Sequence, residues 1–156
     1  MERENRPLKG IVVACFSPST PYSAVIVASQ LQMVGATVTL ILPSMENPSM
    51  AQDRSGLGGL TDRLKVIHLN LKTPQGRQEA CTLCGACDVV VEGFRPGVAA
   101  RLGLLPNDET VWLSLPGFAP EDPQFRGVRA YEAVIASASG VLPLASDLLR
   151  TGFASA

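Results

Sequence analysis

Three of the chain's four cysteines stand in one stretch, "EACTLCGACDVVVEGFRPG" (79 to 97), as Cys81, Cys84 and Cys87. Helical positions three apart lie about 60° apart around the axis, so a helix here would gather the three thiols within one arc of roughly 120°. Such an arc could ligate a metal or do redox chemistry. An iron–sulfur run, however, normally supplies a further cysteine a few residues on, and a structural zinc site wants four ligands. Only distant Cys15 or the lone His68 could complete the set. Free cysteine is among the most buried residue types, and this arc interleaves with Ala80 and Leu83. A packed helical face is therefore the favoured reading over a thiol metal site, and no metal ligands are assigned.

Other chemistry-bearing residues are sparse. His68 is the single histidine, so Cys–His or Ser–His–Asp catalysis would have to use it. It sits inside "VIHLN", where a strand-interior histidine is more often structural. The glycine-rich "SGLGGL" (55 to 60) neither follows a strand nor opens a helix, so it lacks the context of a dinucleotide-binding turn. The turn "CFSPSTPYS" carries neither a G-x-G-x-x-G pattern nor a phosphate-loop lysine. Glu132 follows a long loop; it is either a charge favouring a helix N-terminus or an active-site carboxylate.

The elements that would position these groups read as follows. "GIVVACF" (10 to 16) and "ATVTLIL" (36 to 42) are short β-branched runs, as in strands buried on both faces of a parallel sheet. Between them, Ser or Thr followed by Pro starts an apolar-periodic helix, with Gly35 at its end. "LKVIHLN" (64 to 70), "TPQGRQEACTLCGA" (73 to 86) and "DVVVEG" (88 to 93) repeat strand, helix, strand, with Thr73 as N-cap before Pro74. A short helix follows from Pro96, then "TVWLSLPGF" (110 to 118) as a fifth strand stopped by Pro116 and Gly117, and one or two Ala-rich helices interrupted near Gly140 and Pro143. Residues 43 to 60 read as a mobile surface loop. The alternation implies an α/β fold: a Rossmann-like open, mostly parallel sheet of about five to six strands with helices on both faces. Ligands in such sheets sit outside the carboxyl ends of the strands.

With 156 residues, the chain is expected to form a single domain with its own core. Thirteen basic and fourteen acidic residues give a net charge of −1, with no basic run to mark a nucleic-acid surface. No apolar stretch approaches the roughly 18 residues of a membrane span, and "MERENRPLKG" has no apolar signal core, so a cytoplasmic protein with reduced thiols is expected.

At "LNLKTPQGRQEA" and "CDVVVEGFRPGVAARLGL" the chain resembles the family III CoA-transferases, the group of formyl-CoA transferase, carnitine CoA-transferase and α-methylacyl-CoA racemase. The family pattern there is K-T-P-x-G-R, a helix, A-D-V-V-V-E-N-F-R-P-G-V, and R-L-G. The likeness runs over about residues 7 to 142 and is densest from 68 to 104. It implies a Rossmann-like domain, a second smaller domain, and two chains interlocked as rings. It also implies CoA or acyl-CoA as substrate, with no covalently bound cofactor. CoA would lie against Leu69, Gly93, Phe94, Arg101, Leu102, Arg129, Ala130 and Tyr131, with Glu132 as a supporting or acid–base carboxylate. Arg101 and Arg129 could pair with phosphates; their alternative is solvated surface charge.

Departures from the pattern are specific. Gly93 replaces an asparagine, and Tyr131 stands where the racemases have a histidine. "LLPNDET" leaves no room for a helix before the fifth strand. The family's nucleophilic aspartate aligns beyond Ala156, as does the second domain. The expectation is an N-terminal CoA-binding domain, inactive alone, belonging to a longer or tandem polypeptide or a homodimer. The alternative is a non-catalytic docking module with the same fold.

Overall fold

Val, Ile and Thr lose side-chain freedom in helices and pack well on a pleated surface, and they dominate the strands. The computed structural model describes residues 6–17, 21–44, 61, 63–118, 121–125, 128 and 132–140. Its strands are β1 (Val12–Phe16), β2 (Thr37–Pro43), β3 (Lys65–Leu69), β4 (Val89–Glu92) and β5 (Val111–Ser114). They form one five-stranded sheet in the order β3-β2-β1-β4-β5, and every neighbouring pair is parallel. This is the open α/β sheet that the sequence implies.

The two faces of the sheet carry separate cores because successive strand residues point to opposite sides. Val13, Cys15, Val38, Leu40 and Val91 pack beneath α1 (Pro21–Met33) through Ala24, Val25 and Ala28. Ala14, Phe16, Ile41 and Val90 pack on the other face against Ala80 and Cys84 of α2 (Pro74–Gly85), with half-buried Val98 and Ala99 of α3 (Val98–Arg101) at the margin. Helices thus cover both faces. β1 and β2 are buried along nearly their whole length, which explains why they read as continuous apolar runs.

Local chemistry sets the element ends. Thr73 caps α2: its hydroxyl oxygen accepts the Gly76 N–H at 3.1 Å, and Pro74 occupies the first turn. Gly35 ends the α1 segment at φ 110°, with its N–H on the Gln32 carbonyl and the Ala36 N–H on that of Leu31. The fifth strand ends before Pro116, as its lack of an N–H for the ladder predicts: β5 stops at Ser114. Of the loop expected over 43 to 60, Pro43 closes β2 and residues 45–60 lie outside the described residues.

The chain divides into two compact units, Met1–Leu115 and Pro116–Ala156. The second holds α4 (Glu132–Ala138) and a turn in which the Asp122 carboxylate accepts the Gln124 and Phe125 N–H groups. There the Phe118 and Phe125 rings stack with centroids 5.0 Å apart. Among the described residues, no helix is long and apolar enough to cross a membrane.

Candidate active site: the crevice at the strand reversal

Strand order runs outward from β1 through β2 to β3 on one side, and through β4 to β5 on the other. The carboxyl ends of β1 and β4 therefore flank the topological switch point, where connections leave in opposite directions and open a crevice. β1 ends at Phe16 and Ser17, and the Ser17 N–H bonds the Ile41 carbonyl at 3.0 Å. Ser17 is buried, at 2% exposed. β4 ends at Glu92, from which Gly93 and Phe94 turn across the mouth.

That turn is held at three points. The Gly93 N–H reaches back to the Phe16 carbonyl at 3.3 Å, the Leu115 N–H bonds the Glu92 carbonyl at 2.8 Å, and the Phe94 N–H donates to the Glu92 carboxylate at 2.6 Å. The Phe94 ring then tilts onto Phe16 at 5.8 Å and 43°, an arrangement that aromatic quadrupoles favour. Farther along the same edge, the Leu69 carbonyl ends β3 by accepting the Ser44 N–H at 3.0 Å.

The start of α2 reaches this edge at unusually close range. A β-carbon on Gly76 would lie 2.1 Å from the Asn70 carbonyl oxygen and 2.7 Å from its carbon. Only glycine allows the first turn of α2 to sit on the β3 exit. Thr73 also donates its hydroxyl to the Asn70 carbonyl at 2.8 Å. The first turns of both α1 and α2 lack acidic residues, which suits an edge that faces phosphate.

The residues expected to contact CoA fall into four groups. Gly93 and Phe94 form the crevice turn itself. Leu69 is only 8% exposed, its side chain packed into the α2-side core, so it offers a floor and not a free flank for a base. Arg101 ends α3 with its side chain exposed, and half-buried Leu102 packs on the core beside it. Arg129, Ala130 and Tyr131 lie outside the described residues. Glu132 is the first residue of α4, in the second unit.

Sequence reasoning missed Glu92, Gly76 and Ser17. Glu92 did carry a signal: it is the single acid ending an otherwise apolar strand, directly before a glycine. Gly76 carried a weaker one, as the glycine of the K-T-P-x-G-R pattern.

The cysteines belong to the scaffold. Cys15 and Cys84 are buried, one in each core, and Cys81 and Cys87 are half-buried. Burial pushes the Cys15 thiol up to about 12; burial, followed by the neighbouring Cys87 and Cys81, does the same to Cys84. Burial and then Asp88 also raise Cys87. Thiols held protonated in this way are poor nucleophiles and poor metal ligands. Cys81 and Cys84 line a cavity of about 100 Å³ with Leu104, Asn107, Thr110 and Trp112. It lies by the start of β5, at the sheet edge opposite the crevice. His68 is exposed, its Nδ1 3.2 Å from the Pro43 carbonyl, on β3 and not at the switch point.

The family pattern of CoA-transferase family III matches residues 8–150. The chain belongs to CoA-transferase family III. It is 36% identical over 148 residues to the CoA-transferase/lyase DddD of Marinomonas sp., a match covering 90% of this chain and 17% of that protein. It is 32% identical over 87 residues to the formyl-CoA:oxalate CoA-transferase of Afipia carboxidovorans, covering 52% of this chain and 20% of the relative. This family III chain therefore spans about a fifth or less of the length of these curated relatives. Among solved structures, the Mycobacterium tuberculosis protein Rv3272 superposes with a TM-score of 0.61 at 25% identity, over 76% of this chain and 35% of that one. A CAIB/BAIF family protein from Brucella suis shares the fold at TM-score 0.66 and 23% identity, over 88% of this chain and 40% of its own.

Proposed function

We propose that this chain is the N-terminal, CoA-binding part of a cytoplasmic family III enzyme that moves CoA between an acyl-CoA thioester and a carboxylic acid. The observation that carries the reading is the turn after β4. Gly93 and Phe94, inside the stretch of densest likeness to the family, close the crevice at the switch point against Phe16. A base or pantetheine chain needs an apolar support, and the buried Phe94 and Leu69, packed in one core cluster, supply the floor beneath the Gly93–Phe94 turn. Arg101, exposed at the end of α3, is free to swing onto a phosphate, and Arg129 is assigned the same task. Leu102, Ala130 and Tyr131 are assigned to CoA binding by the family resemblance.

In this chemistry a carboxylate attacks the thioester carbonyl, CoA leaves as a thiolate, and the acyl group remains on the enzyme as an anhydride. The residues of this chain hold and orient CoA while that exchange occurs, with Glu132 supporting the reacting carboxylate or moving a proton. The nucleophile is assigned to the remainder of a longer or tandem polypeptide, or to a homodimer. These 156 residues alone are expected to bind CoA and acyl-CoA without turnover. Calorimetric titration tests this: saturable heat with CoA is expected, no heat at millimolar CoA would sink the reading, and measurable turnover would refute the division of labour.

A second reading, a docking module that has kept only the fold, draws on β5. This edge strand leaves Val111 65% and Leu113 43% exposed, with Leu105 at 64% nearby, an unusual apolar edge. Reversing the charge of both Arg101 and Arg129 separates the two readings, since unchanged CoA affinity would favour docking.

A further inference from the structure

Glu92 is 4% exposed, the only acid among the buried described residues. It follows Val90 and Val91 in β4, and the alternation of the strand places it on the Val90 side, the face of α2. Its register partners are Phe16 on β1 and Ser114 on β5. A carboxylate withdrawn from water and paired, among the described residues, with a backbone N–H is a costly core filler. An apolar residue of like volume would pack there at no such cost. The return lies in where the hydrogen bond goes: the carboxylate reaches forward to the Phe94 N–H at 2.6 Å, across the residue that turns the chain. Without that acceptor, only Gly93 and the Glu92 carbonyl would tie the turn, and the Phe94 ring could leave Phe16.

We propose that Glu92 is a positioning residue for the ligand crevice: its carboxylate fixes the Gly93–Phe94 turn in the conformation that receives CoA. The inference rests on the CoA-binding reading and deepens it. Glu92 touches no reacting atom on this account; it acts through Phe94.

The experiment compares wild-type protein with Glu92→Leu and Glu92→Gln by CoA titration, thermal unfolding and the amide chemical shift of Phe94. Glu92→Leu, relieved of a buried charge, is expected to melt at or above the wild-type temperature yet bind CoA about tenfold more weakly. Glu92→Gln keeps an acceptor oxygen and should recover most of that affinity. Loss of the charge-assisted bond should move the Phe94 amide strongly upfield in Glu92→Leu and partly in Glu92→Gln. Wild-type CoA affinity in a folded Glu92→Leu would overturn the proposal and leave the CoA reading standing, whereas absence of CoA binding by wild-type protein would bring down both. Should Glu92→Leu fail to fold, Glu92→Asp retains charge on an arm one methylene shorter. A displaced Phe94 amide with weakened CoA binding is then expected, and a displaced amide with unchanged affinity would overturn the proposal.

Discussion

Asp88 and Glu92 stand at opposite ends of the same strand, and each accepts a backbone N–H, but they bind in different directions. Asp88, exposed, reaches sideways: its carboxylate takes the Val12 N–H of β1 at 2.7 Å, while its own N–H and carbonyl bond Val12 and Val111. It stitches three strands together at the amino edge. Glu92, buried, reaches along its own chain and shapes the turn that leaves the carboxyl edge. An acid across a ladder stabilises the sheet; an acid along the chain fixes a conformation. On the proposed reading, the amino edge, with its cysteine-lined cavity, is the structural end of this unit, and the carboxyl edge is the one that receives the ligand.

The sharpest way to test that division is Phe94→Ala. It removes a 6%-exposed ring and its contact with Phe16, and should cost about 3 kcal/mol of stability. It should also abolish CoA heat in the calorimeter at temperatures where the protein remains folded. Gly76→Ala comes next, at about 2 kcal/mol in chemical denaturation, because the added carbon meets backbone and not a yielding side chain. It should weaken CoA as well, since Asn70 must move and the β3 exit with it.

Asp88→Ala should cost only about 1 kcal/mol, one exposed hydrogen bond to an ionised acceptor. CoA affinity should stay at the wild-type value; a loss as large as that from Phe94→Ala would end the distinction between the edges. Smallest at neutral pH is the thiol effect, which touches neither edge. The folded state holds Cys15 and Cys84 protonated, raised from 9.0 to about 12. Their contribution is therefore fully present below about 9 and is lost as the pH climbs from there toward about 12. Denaturation midpoints should be flat through neutrality and fall above that point. Native Cys15 and Cys84 should resist alkylation at pH 8, and rapid labelling of either would contradict their burial.

Much of the scaffold is legible in the linear chain because its determinants are local. Thr73 followed by Pro74 can cap and start a helix without reference to anything else, and Gly35 is needed where φ reaches 110°. The β-branched runs of β1 and β2 announce strands buried on both faces. Legibility fails wherever a residue's role depends on a distant partner. The resemblance sets CoA against Leu69, but the fold buries that side chain in one core cluster with Ala80 of α2. Cys81, Cys84 and Cys87, by contrast, were legible: the packed helical face favoured from their spacing lies along the margin and floor of a core. Glu92 has only a local signal, a lone acid before a glycine; its burial between Phe16 of β1 and Ser114 of β5 is decided by the fold.

The sequence by itself determined the alternation of strand and helix, the helix caps and the family, since each is written in residues near one another along the chain. Tertiary structure alone decided the strand order, the site of its reversal, and the meeting of Phe16 with Phe94 over a buried Glu92. The physical reason is that parallel neighbours in a sheet are never neighbours in sequence, so a crevice between β1 and β4 exists only once the crossovers have brought their carboxyl ends side by side.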